Sequence, residues 1–201
     1  MNHYYQDLLT PIIFSWASHQ DHAHVCNAGK ICIQTQGKSA SILFHEDNVI
    51  ELSVVDQETR VSLFYLHLQM HDLKMAKESL VSFFCFLGHE TRTSEAVQLE
   101  GKMHILLSCT SGLTTSYFAY LMEEQLGSEN VHVEAVSISR VEETADAFDV
   151  ILLAPQVSYH YPVLKKKYGD KVMMIDMMDF ATGDVGHVVQ RLSCHQRRAS
   201  L

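Results

Sequence analysis

Positive charge is scarce in this chain, and so are long apolar runs, proline and any regular arrangement of cysteines. Lys and Arg number 15 against 24 Asp and Glu, which gives a formal net charge of -9. A surface of that sign repels nucleic acid and anionic lipid, so neither is read as a direct partner. No apolar run approaches the ~20 residues of a membrane span. The N-terminus, MNHYYQDLLTPIIF, has neither a basic start nor a long apolar centre, which argues against a secretory signal. The five cysteines are odd in number and irregularly spaced, which points to a reducing cytosol rather than a disulfide framework. Internal repeats and low-complexity tracts are also missing from both halves.

What is present supports a packed core. The 201 residues are 47% hydrophobic, enough for one medium domain or two small ones at roughly 100–200 residues per domain. The most informative stretch is Lys102 to Met122, KMHILLSCTSGLTTSYFAYLM. Met103 to Ser108 is a short apolar strand pattern. Cys109 to Ser116 is a loop of small and hydroxylated residues. From Tyr117 the spacing becomes helical, with Leu113, Tyr117 and Leu121 on one stripe and Phe118 and Met122 beside it. A strand, a small-residue loop and a helix N-terminus together make a cradle for an anion: backbone N–H groups converge and the helix end adds partial positive charge. A cysteine at the first loop position is held as a thiolate more readily there and becomes a nucleophile. Cys109 is therefore the candidate acceptor of a phosphoryl group. Thr110, Ser111, Gly112, Leu113, Thr114, Thr115 and Ser116 are the candidate phosphate-binding residues.

Residues 1–88 read as an antiparallel α+β domain. Met1 to about Gln20 has helical spacing, with Pro11 either kinking the helix or opening a second one. Strands are expected at 29–36, 40–44, 49–55 and 60–69. The last of these is apolar on both faces, which suggests a central strand covered on both sides. A helix follows from Asp72 to Leu87 and stops at Gly88. Its apolar end, with Phe83, Phe84 and Phe86, needs cover, either from this domain's own core or from a second copy. The segment His19-Gln-Asp-His22-Ala-His24-Val-Cys26 carries metal-ligand side chains, but its spacing fits no standard site. It reads as a solvated loop, and no metal is assigned. Cys32 and Cys85 read as core residues, Cys26 and Cys194 as unremarkable thiols. Residues 89–101 read as a polar linker.

From residue 102 to 201 strands and helices alternate: strands at 131–138, 149–154 and 172–176, a short helix at 139–147 capped by Ser139, and helices at 159–168 and 183–196. That order implies a parallel sheet covered on both faces. Ligands bind such sheets beyond the carboxyl ends of the strands. Cys109, Pro155-Gln156 and Asp176 to Asp179 should gather there, with Gln156 and Tyr159 as possible lining residues. His104, near the start of its strand, reads as a satisfied or exposed histidine rather than a phosphate partner.

At residues 102–193 the sequence resembles the IIB component of the phosphoenolpyruvate-dependent sugar phosphotransferase system, lactose/cellobiose type. The matching blocks are ILLSCTSGLTTS at 105–116, VEAVS at 133–137, DVILLAPQVSY at 149–159 and MID at 174–176. The resemblance implies a four-stranded parallel sheet and a protein-phosphocysteine sugar phosphotransferase without a cofactor. It implies that Cys109 takes phosphate from a phosphohistidine on a IIA partner and passes it to a sugar entering through a membrane IIC component. The chain would then be cytoplasmic and come to the inner face of the membrane only transiently. Two positions depart from the family pattern: Ala154 stands where glycine is usual before Pro-Gln, and Phe180-Ala181 where a tyrosine-glycine pair is common. The additional first domain leaves room for a homodimer or for a regulatory or adaptor variant. A low-molecular-weight phosphatase shares the strand–loop–helix layout, but it needs an arginine where this chain has Thr115.

Overall fold

The computed structural model describes residues 3–35, 37–88, 102–110, 113–127 and 131–199. The chain forms two compact units, residues 1–92 and 93–201. The expected linker, 89–101, lies outside the described residues.

The first unit is a five-stranded antiparallel meander in the order β1-β2-β3-β4-β5, with a helix before it and a helix after it. Helix α1 spans His3–Ser18 with Pro11 inside it, so one helix forms rather than two. The strands are β1 (Ala23–Asn27), β2 (Lys30–Thr35), β3 (Lys38–Phe44), β4 (Val49–Asp56) and β5 (Ser62–Gln69). Period-two alternation sends Ile31, Ile33, Ile42, Leu52, Phe64 and Leu66 to one face, where all are buried. Helix α2, Leu73–Leu87, is started by Asp72, whose carboxylate accepts from the Met75 N–H. Phe83 and Phe86 of α2 pack on Phe64 at ring-centroid distances of 5.4 and 5.3 Å. The phenylalanine-rich helix end is thus covered by its own unit's sheet.

Three expectations for this unit are corrected. β5 is an edge strand, and Tyr65 and His67 on its second face are exposed. Its apolar side chains are taken up by one covered face, and the other stays open. The segment read as a solvated loop contains strand β1, hydrogen-bonded to β2 alone. Its side chains are mostly exposed, so no hydrophobic period marks it. Finally, Cys26 and Cys32 form a disulfide across the β1–β2 pair, and Cys85 is exposed on α2. Unrecognised pairing of β1 is what hid the disulfide: strand proximity brings the two Cα atoms to 6.1 Å although sequence spacing gives no framework.

The second unit is a four-stranded parallel sheet in the order β7-β6-β8-β9. The strands are β6 (Met103–Cys109), β7 (Val131–Ser137), β8 (Val150–Leu153) and β9 (Val172–Met174). β6 and β8 are buried almost throughout, as expected for strands covered on both faces. The helices are α3 (Leu113–Leu126), α4 (Val141–Thr144), α5 (Tyr161–Tyr168), α6 (Met177–Thr182) and α7 (Val185–Ala199). Helix α3 buries Phe118, Ala119 and Met122, while Tyr117 points outward, so the buried stripe lies one position round from the expected one. Ser139 does not cap α4. It sits in the turn before the helix, where its hydroxyl meets that of Ser137 at 2.8 Å. The final helix expected at 183–196 is α7, while α6 before it was not expected; the two are separated by a reversal at Gly183, whose φ of 70° favours glycine. Among the described residues no helix is long and apolar enough to cross a membrane.

Phe64 is the centre of the first unit's core, and Trp16, the chain's single tryptophan, reports on the same unit through its contact with Phe84. Phe64→Ala should lower that unit's stability by about 3–5 kcal/mol, read as a shift of the urea midpoint in Trp16 fluorescence. A change within about 0.5 kcal/mol, the range of a surface substitution, would contradict the packing described.

Candidate phosphoryl-transfer site

Cys109 closes the central strand β6. Parallel pairing with β7 and β8 places the carboxyl ends of these strands on one edge of the sheet. Beyond the last paired residues the ladder continues through Ala154 N–H to Ser108 O at 2.8 Å and Ile175 N–H to Leu153 O at 2.9 Å. Cys109, Pro155-Gln156 and Asp176 therefore leave the sheet at the same edge, as the sequence implies. His104 opens the opposite end of β6, exposed, with its backbone N–H donating to Asp149.

The Cys109 residue is buried, with 2% of its surface exposed. Its sulfur lies 3.2 Å from the hydroxyl of Thr115, a buried residue in the first turn of α3. Of the other sequence-predicted residues, Thr110 and Ser116 are exposed. Leu113 and Thr114 open α3, and Ser111 and Gly112 lie outside the described residues. Gln156 follows β8 and is buried, with no hydrogen-bond partner on its Oε1. Tyr159 is half-exposed, with its ring tilted against that of His160 at a centroid distance of 4.3 Å. Within this set the structure brings the Cys109 sulfur and the Thr115 hydroxyl into direct contact. Sequence reasoning marked Thr115 as the place of an absent arginine without foreseeing that contact. Six residues separate the two, and the strand-to-helix turn closes that gap.

Asp176 and Asp179 both have structural partners. Asp176 caps α6 by accepting from Met178 N–H. Asp179 is buried, and its Oδ1 accepts a 2.7 Å bond from Nδ1 of His187, while Oδ2 faces the Arg191 guanidinium at 3.9 Å. The carboxylate beside His187 raises the imidazole's pKa above its usual 6.5. Burial, the larger effect on Asp179, raises its carboxyl pKa, and the bond to His187 offsets part of that rise. Neither aspartate is left over as a phosphatase-type acid. Ala154 and Ala181 are buried, and the buried Phe180 stacks on Phe118 at 5.4 Å, so the positions that depart from the family pattern face the packed interior.

Comparison with known proteins decides the family. The family described as "PTS system, Lactose/Cellobiose specific IIB subunit" matches residues 104–191. The oligo-beta-mannoside-specific EIIB component of Bacillus subtilis (strain 168) is 34% identical over 85 residues, covering 40% of this chain and 82% of that protein. The chain belongs to the lactose/cellobiose-type IIB family. Two solved IIB structures are similar to part of this chain. One is the cellobiose-specific phosphotransferase IIB component of Borrelia burgdorferi, at 34% identity and a TM-score of 0.38, covering 45% of this chain and 87% of that one. The other is the lactose-specific IIB component domain of Streptococcus pneumoniae, at 19% identity and a TM-score of 0.41, covering 47% and 97%. A IIB protein of this system transfers phosphoryl groups, and the buried cysteine at the end of β6 is consistent with a phosphocysteine carrier. Membership also implies the system's IIA and IIC components as partners in general.

His187 gives a pH test of the site's surroundings. Its folded pKa is raised, so the stability drawn from the Asp179 pair is fully present below 6.5 and is lost as pH rises through the folded value. The His187 ring resonances should titrate with a midpoint above 6.5, and Asp179→Asn should move that midpoint down. An unmoved midpoint would show that Asp179 is not the cause.

Proposed function

We propose that Cys109 is the phosphoryl carrier, taking phosphate from a phosphohistidine on a IIA protein and passing it to a sugar delivered by a membrane IIC component. The observation that carries this reading is the sulfur's position: it ends the central parallel strand, touches the Thr115 hydroxyl, and has no guanidinium or ammonium in the segment 109–116. In the first step the sulfur attacks phosphorus in line. The S–P bond forms, the N–P bond breaks, and the thiol proton ends on the departing imidazole. In the second step the sugar hydroxyl attacks, the S–P bond breaks, the hydroxyl proton is released and the thiolate returns. Such transfers need positioning and charge cancellation more than acid–base help. Backbone N–H groups of residues 110–116 and the Thr115 hydroxyl are the donors in this reading, with Gln156 and Tyr159 lining the approach. Because Cys109 is covered, docking of the donor must uncover it.

The first unit favours a second role alongside carriage. It has a complete core of its own and is nearly as large as the phosphoryl-carrier unit. We read residues 1–88 as an adaptor or dimerisation domain joined through 89–101 to the carrier domain at 102–201, with the chain working in the cytoplasm at the membrane's inner face.

The test is mass spectrometry after incubation with phosphoenolpyruvate, the general phosphotransfer proteins and candidate IIA proteins. One phosphate should map to Cys109 and vanish in Cys109→Ser. Thr115→Val should slow uptake by roughly 10–100-fold, the worth of one hydrogen bond to a charged group. Phosphate that persists in Cys109→Ser would end the proposal.

A further inference from the structure

The first unit holds a set of soft ligands that phosphoryl transfer does not use. His24 and Cys32 are directly paired across β1 and β2. Cys26 lies two residues beyond His24, at a bulge where the β1–β2 register shifts between Val25 and Asn27. Bulges re-aim side chains, and here the Cys26 sulfur reaches Cys32. One donor atom from each of His24, Cys26 and Cys32 lies within 4.8 Å of the other two. A tetrahedral zinc ion needs sulfurs about 3.8 Å apart and a nitrogen about 3.5 Å from each, given its bond lengths to thiolate and imidazole. With the disulfide opened, Cα atoms 6.1 Å apart would leave the side chains room to take that separation. His24 and Cys26 are exposed on an edge strand, so a cation has a path in and a fourth position open to water.

We propose that the reduced form of this chain binds a thiophilic divalent cation of the zinc type through His24, Cys26 and Cys32. The disulfide and the metal site exclude one another. A dithiol reductant gives two electrons and two protons to the Cys26–Cys32 bond and becomes a disulfide itself. The cation then displaces the two thiol protons and takes two thiolates and one imidazole nitrogen.

The test uses the full chain, reduced by a dithiol that is then removed without air, and titrated with Co²⁺ followed by Zn²⁺. One Co²⁺ per chain should bind with thiolate-to-metal charge-transfer absorption, and Zn²⁺ should displace it. The oxidised chain, Cys26→Ser and Cys32→Ser should lack the band. His24→Gln alters an exposed side chain and keeps both thiols, so it should leave the fold intact, checked by circular dichroism. It should weaken Zn²⁺ binding by more than about tenfold, since even partners of metal ligands are worth 10–100-fold. No band in the reduced chain would overturn the proposal. So would a band that survives loss of Cys26 or Cys32, which would place the metal on other thiols, or wild-type affinity in His24→Gln.

Discussion

The second unit depends on the parallel pairing of β6 between β7 and β8. Residues 103–109 of β6 match 131–137 of β7 one for one, and 105–108 match 150–153 of β8. A one-residue slip would turn every side chain of β6 to the opposite face, and both neighbours resist it because β6 is buried on both sides. Cys109 is the last residue fixed by this register, paired with Ser137. Its sulfur is therefore placed by the sheet rather than by the loop that follows. The ladder bonds beyond the strand ends, from Ala154 and from Ile175, extend the same control to the chain segments leaving β8 and β9.

Much of this was legible in the sequence because burial on both faces leaves a plain mark. ILL at 105–107 and VILLA at 150–154 are continuous apolar runs, the second closed by Asp149 and Pro155, and small residues after the first run signal a turn into a helix. Strands β2 to β5 were equally readable as strands, but β5, with apolar residues at successive positions, does not show in its sequence that only one face is covered. What escaped was structure held by backbone bonding with little burial. β1 is exposed along most of its length, and only its pairing with β2 makes it a strand. Helix α6 is six residues long and depends on the Asp176 cap and the Gly183 reversal. The same reversal brings His187 back onto Asp179, a contact that no helical period foretells because it spans two helices.

The five cysteines make the limit of composition concrete. Number and spacing suggested five free thiols, yet their surroundings separate them into three kinds. Cys26 and Cys32 are joined across a strand pair, Cys85 and Cys194 are exposed on helices, and Cys109 is enclosed at a strand end. Each kind follows from the element that carries it. A bulged edge strand brings two thiols together, a helix surface leaves them apart, and a central strand end hides one beside a hydroxyl.

The enclosure of Cys109 fits a carrier better than a hydrolase. A phosphatase must bring water to its phosphocysteine, whereas a relay must keep water away until the next acceptor arrives. The partner at Thr115 points the same way. A guanidinium there would grip the phosphate through two charge-assisted bonds, and an interaction that holds the bound group as tightly as the transition state does nothing for the transfer step. In the relay proposed for Cys109, a neutral hydroxyl 3.2 Å from the sulfur would orient the incoming oxygens while leaving the group free to depart. The lack of positive charge in 109–116 thus suits a site that must both accept a phosphoryl group and give it up.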